Sequence, residues 1–576
     1  MKLIYNEKYE IIDSNMSDSN VGARRNKNIR NHIFVINGII HDVLSSKSKK
    51  PIDIQIMDYK QCFDSMWLED TLNDLYDAGV QDDTLAVLHE ANRNVKVAVK
   101  TSHGLTDRKN VKEIILQGDV FGPIQCSVSV DTYGKECILE DKHLYTYKDG
   151  VQVPALAMVD DVLIVTECGY KSTMANAFIN TKSNMKKLQY GTNKCHKMHV
   201  GRRKNEDICP DLFVDGWKLK EVSEIDTGIV EDDLVDDYDG LQKMDEVTDE
   251  KYLGDVLSAD GKNLKNITTR RNKSIGTRNQ IMGILQDVYY GRYYFQVAKI
   301  LRNALFLSSL LTNCEAWYNV STVDRDLLEE ADENLLRSIL ECPVTTPKEM
   351  LYLELNCLPI RYILMKRRLH FLYYILSQKK DSLIYQFFQA QLRNSVKGDW
   401  SITVQEDLEI LGIETPINQI TNLSESTYTK MIGEKIEGEA LRYLNCEKDK
   451  HSKVKHMSHK KMEMQDYLSP NNLSNDDSKL IFLLRSRMLD VKCNYKGKYI
   501  HSNTLCPVCK KEDDTQAHIL ECADLNVENQ IVTETIDYDK LFSDKLNDKI
   551  SVAKVIKERF KRRKDNLKKK AEEEIP

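Results

Sequence analysis

The feature that most constrains this chain is a carboxylate pair, Asp160-Asp161, set between two apolar runs, Pro154 to Met158 and Val162 to Val165. Val235-Asp236-Asp237 is nearly the same tripeptide, but it lies in the acidic stretch from Glu224 to Glu250 and reads as solvated loop. An apolar strand, two carboxylates and a second apolar strand predict a tight hairpin that lifts two anions out of a buried sheet. Such crowding is costly unless a cation neutralises it. A hard divalent cation such as Mg2+, which prefers oxygen ligands, is the natural partner.

A second strand-end carboxylate lies upstream. Ile52-Asp53-Ile54-Gln55-Ile56-Met57 alternates as a half-buried strand does and ends at Asp58. Tyr59 to Asp64 follows, then a helical pattern through Leu68, Leu72 and Leu75. Between Asp58 and Asp160 comes Gln117-Gly118-Asp119, with Gly122-Pro123 at the start of another predicted helix.

Near the C-terminus, Cys506-Pro507-Val508-Cys509, His518 and Cys522 form a C-x2-C-x8-H-x3-C array. A tight Cys pair and a helix-spaced His/Cys pair can close a tetrahedral site around one Zn2+. His501 is a rival ligand with poorer spacing. Fourteen scattered cysteines without a signal peptide suit a reduced intracellular protein, of nucleus or cytoplasm, in which such a cluster holds metal rather than a disulfide.

With 576 residues, 41% of them hydrophobic, the chain can build two or more cores. No apolar stretch approaches the ~20 residues of a membrane span. The net charge of −7 argues against a uniformly basic nucleic-acid binder, but a polymerase needs a positive groove rather than a positive total. Basic residues concentrate at Arg24 to Arg30, at Arg270-Arg271 and in the tail from Lys554 to Lys570, which reads as a nucleic-acid-binding helix or a solvated terminal one. Residues from 266 to 400 carry Leu at helical spacing, and Thr346-Pro347-Lys348-Glu349 reads as a capping box with Pro at the first helical position. Residues 447 to 477 read as a linker.

Taken in order, Asp58, Gln117-Gly118 and Asp160-Asp161 resemble the polymerase palm of reverse transcriptases. The chain resembles in particular, over most of its length, the reverse transcriptases of non-LTR (LINE-type) retrotransposons. Gly22-Ala23-Arg24-Arg25-Asn26-Lys27 is similar to the basic segment before that palm. Asp58 to Asp64 is similar to the family's D…AFD motif, with Cys62 for Ala, and Gln117 to Pro123 to its QGD…SP motif, with Gly122 for Ser. Met158-Val159-Asp160-Asp161 is similar to the YADD-type box, Asn193-Lys194 to the next palm motif and Tyr252-Leu253-Gly254 to the primer-grip turn. Cys314 to Trp317, Thr346 to Glu349 and Arg367-Arg368-Leu369 resemble the helical region after the palm, where Arg367-Arg368 reads as a phosphate contact or, more readily, as a solvated helix face. The family also carries a CCHC knuckle behind its polymerase.

The resemblance implies an α+β right-hand polymerase fold. It implies partial fingers over 1–50, a palm over 51–265, a helical thumb over 266–400, a connection and linker over 401–480, the CCHC region over 481–545 and a basic tail over 546–576. It implies RNA-directed DNA polymerase activity on an RNA template, with a DNA primer or target and dNTPs, and two Mg2+ ions held by Asp58, Asp160 and Asp161. By the same resemblance, Phe63 is the ring that excludes a sugar 2′-hydroxyl, Gln117 and Gly118 admit the incoming nucleotide, and Lys194 protonates pyrophosphate. Arg24 and Arg25 would add charge at the triphosphate. On the residues alone, Phe63 also reads as core and Lys194 as a solvated lysine. The family's longer fingers and its nucleases find no counterpart in this sequence. Two other readings therefore stand beside the polymerase: a nucleic-acid-binding remnant with an idle palm, and a zinc-stabilised interaction protein.

Overall fold

The computed structural model describes the chain apart from residues 1, 47–48, 61, 94, 112–114, 116–119, 140–144, 187, 189, 202–210, 215–241, 456, 471–472, 496–503, 526–536 and 574–576. It is an α+β structure in two compact units. Met1–Asn266, Asn313–Val320 and Arg368–Asn422 form the first; Ile267–Thr312, Ser321–Arg367 and Leu423–Pro576 form the second. The stretch read as a thumb is therefore divided. Residues 313–320 and 368–400 belong with the sheet, and the rest of it belongs with the C-terminal region.

The first unit contains α1 (Lys2–Asn15), α2 (Ile29–Ser45), β1 (Ile52–Asp58), α3 (Gly122–Leu139), β2 (Leu156–Met158), β3 (Asp161–Glu167), α4 (Tyr170–Met185), β4 (His196–Val200) and β5 (Asp245–Glu246). The sheet order is β5-β4-β1-β3-β2. All pairings are antiparallel except β4 with β5. Central β1 pairs with β3 along its whole length, from Ile52↔Glu167 to Asp58↔Asp161.

The alternation in β1 has a different cause from the one expected. The strand is not half-buried: Asp53 and Gln55 are as enclosed as the isoleucines between them. Successive side chains point to opposite faces, and here both faces are covered. On the polar face Gln55 donates to the Ser172 carbonyl (2.9 Å) and accepts from Asn176 (3.1 Å), both on α4. Asp53 bonds His199 Nδ1 at 2.9 Å. A buried polar face is stable only when its groups are paired in this way.

A two-stranded hairpin, β6 (Asp249–Tyr252) and β7 (Asp255–Ser258), turns through Leu253-Gly254, both at positive φ. Trp317 braces it, donating from Nε1 to Asp255 (3.3 Å). Cys314 to Trp317 thus supports the sheet-bearing unit rather than a separate thumb.

The second unit is mostly helical: α5 (Leu264–Asp287), α6 (Thr322–Leu340), α7 (Lys348–Leu355), α8 (Glu425–Asp449), α9 (Asn475–Arg485), α10 (Gln516–Glu521) and α11 (Leu546–Glu573). Its centre is Glu354, wholly buried, with Arg485 across two oxygens (3.0 and 3.1 Å), His459 at 2.8 Å and the Tyr467 hydroxyl. His459 and Tyr467 come from the stretch read as a linker, which packs instead, burying Val454, Met457, Tyr467 and Leu468.

Two further expectations are corrected. The capping box of the helical region is Ser321 with Asp324, at the start of α6. Thr346-Pro347 makes none: Pro347 is itself the N-cap of α7, without a side-chain hydrogen bond. Arg367 and Arg368 are not set out for phosphate, since Arg367 donates to the Leu311 carbonyl (2.6 Å) and buried Arg368 pairs with Asp407 (2.6 Å). No helix among the described residues is long and apolar enough to cross a membrane.

Candidate active site and metal cluster

The carboxylates meet where β1 and β3 end. Asp58 and Asp161 are register partners, so their side chains share one face of the sheet. β2 and β3 are joined by a two-residue turn, Val159-Asp160, closed by Met158↔Asp161. Only Asp160 lies in the turn; Asp161 already begins the strand. Val159 holds φ +57°, a left-handed conformation that a β-branched residue rarely adopts. Its side chain packs on the core beneath, and such strain persists only where surroundings over-determine it.

Those surroundings come from the N-terminal segment. Ser19 to Val21 pairs with the free edge of β2, exchanging Ala157 N–H to the Ser19 carbonyl (3.1 Å) and Val21 N–H to the Ala157 carbonyl (3.0 Å). Gly22 then passes so close that a Cβ there would lie 2.6 Å from the Val159 nitrogen and also strike the Ser127 hydroxyl. Glycine is required by this close approach, not by its own φ.

Electrostatically the cluster is short of positive charge. Burial first, then Asp160 and Asp58, push the Asp161 carboxyl up to about 6. Burial and the Asp58 charge also raise Asp160. Lys194 opposes this, bonding Asp58 Oδ1 at 2.9 Å and Oδ2 at 3.3 Å. The hydrogen bond to Asp58, with its charge, in turn raises the Lys194 pKa. The lysine reaches Asp58 because Gly191 N–H bonds the Asp58 carbonyl (2.9 Å) and Tyr190 stacks on Tyr59 at 4.9 Å.

Phe63 is partly buried against the core that carries the turn. Its neighbour Cys62 lies 3.5 Å from Cys126, sulfur to sulfur. Gln117 and Gly118 lie outside the described residues. Tyr252 is buried, its hydroxyl 3.1 Å from His32 Nδ1. Burial, then the Asp161 charge, hold its pKa well above the ordinary value. His32 Nε2 bonds the Ser19 carbonyl (2.8 Å), and burial lowers the imidazole to about 4. A neutral ring donating from Nε2 must accept the Tyr252 hydroxyl at Nδ1. Tyr252, Leu253 and Gly254 are thereby tied, through His32, to the segment that flanks the Asp160 turn. Nothing in the pattern around His32 announces this role.

Arg24 and Arg25 both contact the N-terminal helix α1. The Arg24 guanidinium is enclosed, paired with Asp13 at 2.7 Å and donating to the Ser17, Asn20 and Asp13 carbonyls. Arg25 lies over the Tyr9 ring (4.3 Å) and bonds Asn6 (2.7 Å). Both fasten the N-terminal segment; the Arg24 guanidinium is committed internally, whereas Arg25 stays exposed.

In the second unit, Cys506, Cys509, His518 and Cys522 each bring a ligand atom within 4.8 Å of the others. His518 Nε2 is 3.3 Å from Cys509 Sγ, near the roughly 3.6 Å separating N and S ligands on one tetrahedral zinc. Its other nitrogen bonds Glu512 at 3.0 Å, the outer contact that fixes a ligating imidazole. α10 sets His518 and Cys522 one turn apart, and its N-cap Thr515 bonds the His518 N–H (3.0 Å). This group can hold a metal ion. Asp58, Asp160 and Asp161 do not converge so tightly. The other group meeting that criterion among the described residues is Asp53, Cys168 and His199, where Lys197, 3.9 Å from Asp53, already supplies positive charge.

No protein-family model matches the sequence, and no curated protein does. Solved structures similar to it include telomerase from Candida tropicalis in complex with a fragment of telomeric RNA, at 12% identity over 71% of this chain and 52% of that one, with a TM-score of 0.31. Telomerase from Candida albicans in a similar complex shows 12% identity over 54% and 50%, with a TM-score of 0.26. The chain spans about half the length of each. Likenesses this loose carry no weight for site or activity.

Proposed function

We propose that this chain is an RNA-directed DNA polymerase of the non-LTR retrotransposon type, joining dNTPs to a DNA primer on an RNA template. The observation that carries this reading is Asp58 opposite Asp161 at the end of two central antiparallel strands, with Asp160 in the adjoining turn. Three under-compensated carboxylates fit Mg2+, as their donor chemistry and the raised Asp160 and Asp161 pKa values indicate. Bound there, Mg2+ would supply activation of a primer hydroxyl and charge neutralisation at a triphosphate. The chain's own groups do the rest. Asp58 and Asp161 would hold the ion from a rigid base, because each lies at the end of a paired strand. Lys194, beside Asp58, would meet departing negative charge. Phe63, braced by core, would present its ring to the sugar. The Tyr252 turn, fixed through His32, would support the primer. Cys506, Cys509, His518 and Cys522 would hold one Zn2+.

A nucleic-acid-binding remnant with an idle palm remains the second reading, favoured by the internal pairing of Arg24. Primer extension on an RNA template with dNTPs and Mg2+ separates the two. Extension by the native chain and none by Asp160→Ala/Asp161→Ala supports the polymerase; no extension by either, with RNA still bound, leaves the remnant.

A further inference from the structure

The C-terminal helix α11 has two faces. Val552, Ile556, Arg559 and Arg563 recur at spacings of four, three and four, and all are buried. They dock the helix on the Cys/His cluster: Arg563 Nε pairs with buried Asp514 at 3.0 Å, and Arg559 donates to the Ile519 (3.1 Å) and Leu520 carbonyls. At 100° per residue the opposite face holds Lys554, Lys557, Lys561, Lys564 and Lys568, all exposed. They make a straight row about 21 Å long, with Glu558 and Asp565 along one margin. Only Lys557 of the row forms an ion pair among the described residues, with Asp477 on α9.

That pair connects the row to an aromatic loop. Asp476, the next residue, accepts from the Tyr289 hydroxyl, and Asn475 donates to the Tyr289 carbonyl. The first turn of α9 therefore bridges the start of the lysine row to Tyr289-Tyr290-Gly291-Arg292-Tyr293. In this loop Tyr290 is 98% exposed, Tyr293 52% exposed, and Arg292 lies 5.3 Å from the Tyr293 ring. Two large rings held in water, linked through the first turn of α9 to a row of cations, need an explanation.

We propose that this surface is a binding site for single-stranded nucleic acid, with phosphates along the lysine row and bases stacked on Tyr290 and Tyr293. A polyanion matches the charge, and sequence-tolerant stacking on exposed rings is how unpaired bases are held. In a duplex the bases are already stacked and the rings would have nothing to receive. An anionic membrane is disfavoured because a surface-lying helix must bury its apolar face in lipid, and α11 has already buried Val552 and Ile556 in protein. The site is remote in sequence from the carboxylates and does not depend on their chemistry.

The test is binding of the full chain to a labelled 20-mer of oligo(U) across a salt series. Tyr290→Ala, at a position too exposed to affect folding, is expected to lower affinity about tenfold at fixed salt without changing the salt slope. Lys561→Gln/Lys564→Gln/Lys568→Gln is expected to flatten the slope of log K against log salt by about two. The series is run without dNTPs or added Mg2+, so polymerase activity takes no part in the reading and its loss cannot masquerade as loss of this site. Unchanged affinity in both surface variants would overturn the proposal. So would equal competition by a blunt duplex of the same length, by an acidic peptide or by phosphatidylserine vesicles.

Discussion

Replacing Asp161 by Asn in the metal-free chain is expected to stabilise the fold while removing the proposed chemistry. Asp161 stands directly opposite Asp58 on a neighbouring antiparallel strand, where like charges destabilise the pair. Burial, Asp160 and Asp58 together take its carboxyl from 3.8 to about 6, a penalty of roughly 3 kcal/mol at full weight. The side chain is half-buried rather than sealed, so solvent screening reduces the expected gain to about 1–2 kcal/mol. That corresponds to a Tm rise of roughly 1–3 °C for a unit of this size. The sign in pH follows from proton linkage. A carboxyl with a raised folded pKa binds its proton more tightly in the native state, so it costs stability as pH rises through the window between the two values. Parent and Asp161→Asn should therefore coincide below about pH 4, diverge up to about pH 6 and keep a constant gap above it. The assay is scanning calorimetry in EDTA at a series of pH values, repeated with Mg2+. Mg2+ should raise the Tm of the parent and narrow the gap, because a bound cation removes the repulsion that the substitution relieves. A variant less stable than the parent at pH 7.5 in EDTA, or a gain independent of pH, would refute the electrostatic reasoning and weaken the case for a cation site.

Three other perturbations test separate parts of the structure. Elemental analysis of the purified chain should find about one zinc, lost with Cys509→Ser, and absence of zinc from the native chain would remove the ion from the Cys/His group. Gly22→Ala places a methyl 2.6 Å from the Val159 nitrogen, and displacing the Asp160 turn by even a fraction of an ångström should cost on the order of tenfold in primer extension; equal Tm and equal extension would show that the contact gives way freely. Glu354→Gln leaves Arg485 buried beside a neutral partner and should cost about 3–5 kcal/mol at neutral pH. Burial opposes ionisation of Glu354, but Arg485 and His459 hold its carboxyl far below the ordinary carboxylate range, so its contribution is present above that range and lost on acidification. Chemical denaturation at pH 7 and pH 3 should show the gap shrinking in acid, and a constant gap would mean that the loss is one of packing.

The chemistry in this chain is written in short spacings, and its charge balance in long ones. Asp160-Asp161 between apolar runs, Asp58 at a strand end and the C-x2-C-x8-H-x3-C array are local patterns, and local patterns dictate hairpins and helical turns directly. The basic residues follow another logic. Arg24, Arg368 and Arg563 all looked available, yet each pairs with an aspartate 11, 39 or 49 residues away. A sequence read without its fold shows the guanidinium but not the partner. β1 misleads for a related reason, since alternation marks two chemically different faces and says nothing about whether the polar one meets water or the amides of α4. Within α11 the two basic side chains part company on physical grounds. Arginine's planar fork satisfies a buried carboxylate or several carbonyls at once, whereas the compact, strongly hydrated ammonium of lysine favours solvent. Arg559 and Arg563 turn inward and Lys554, Lys561, Lys564 and Lys568 turn outward. Total basic charge therefore overstates what the helix can offer a phosphate backbone, and the outward lysines alone set how steeply its binding should respond to salt.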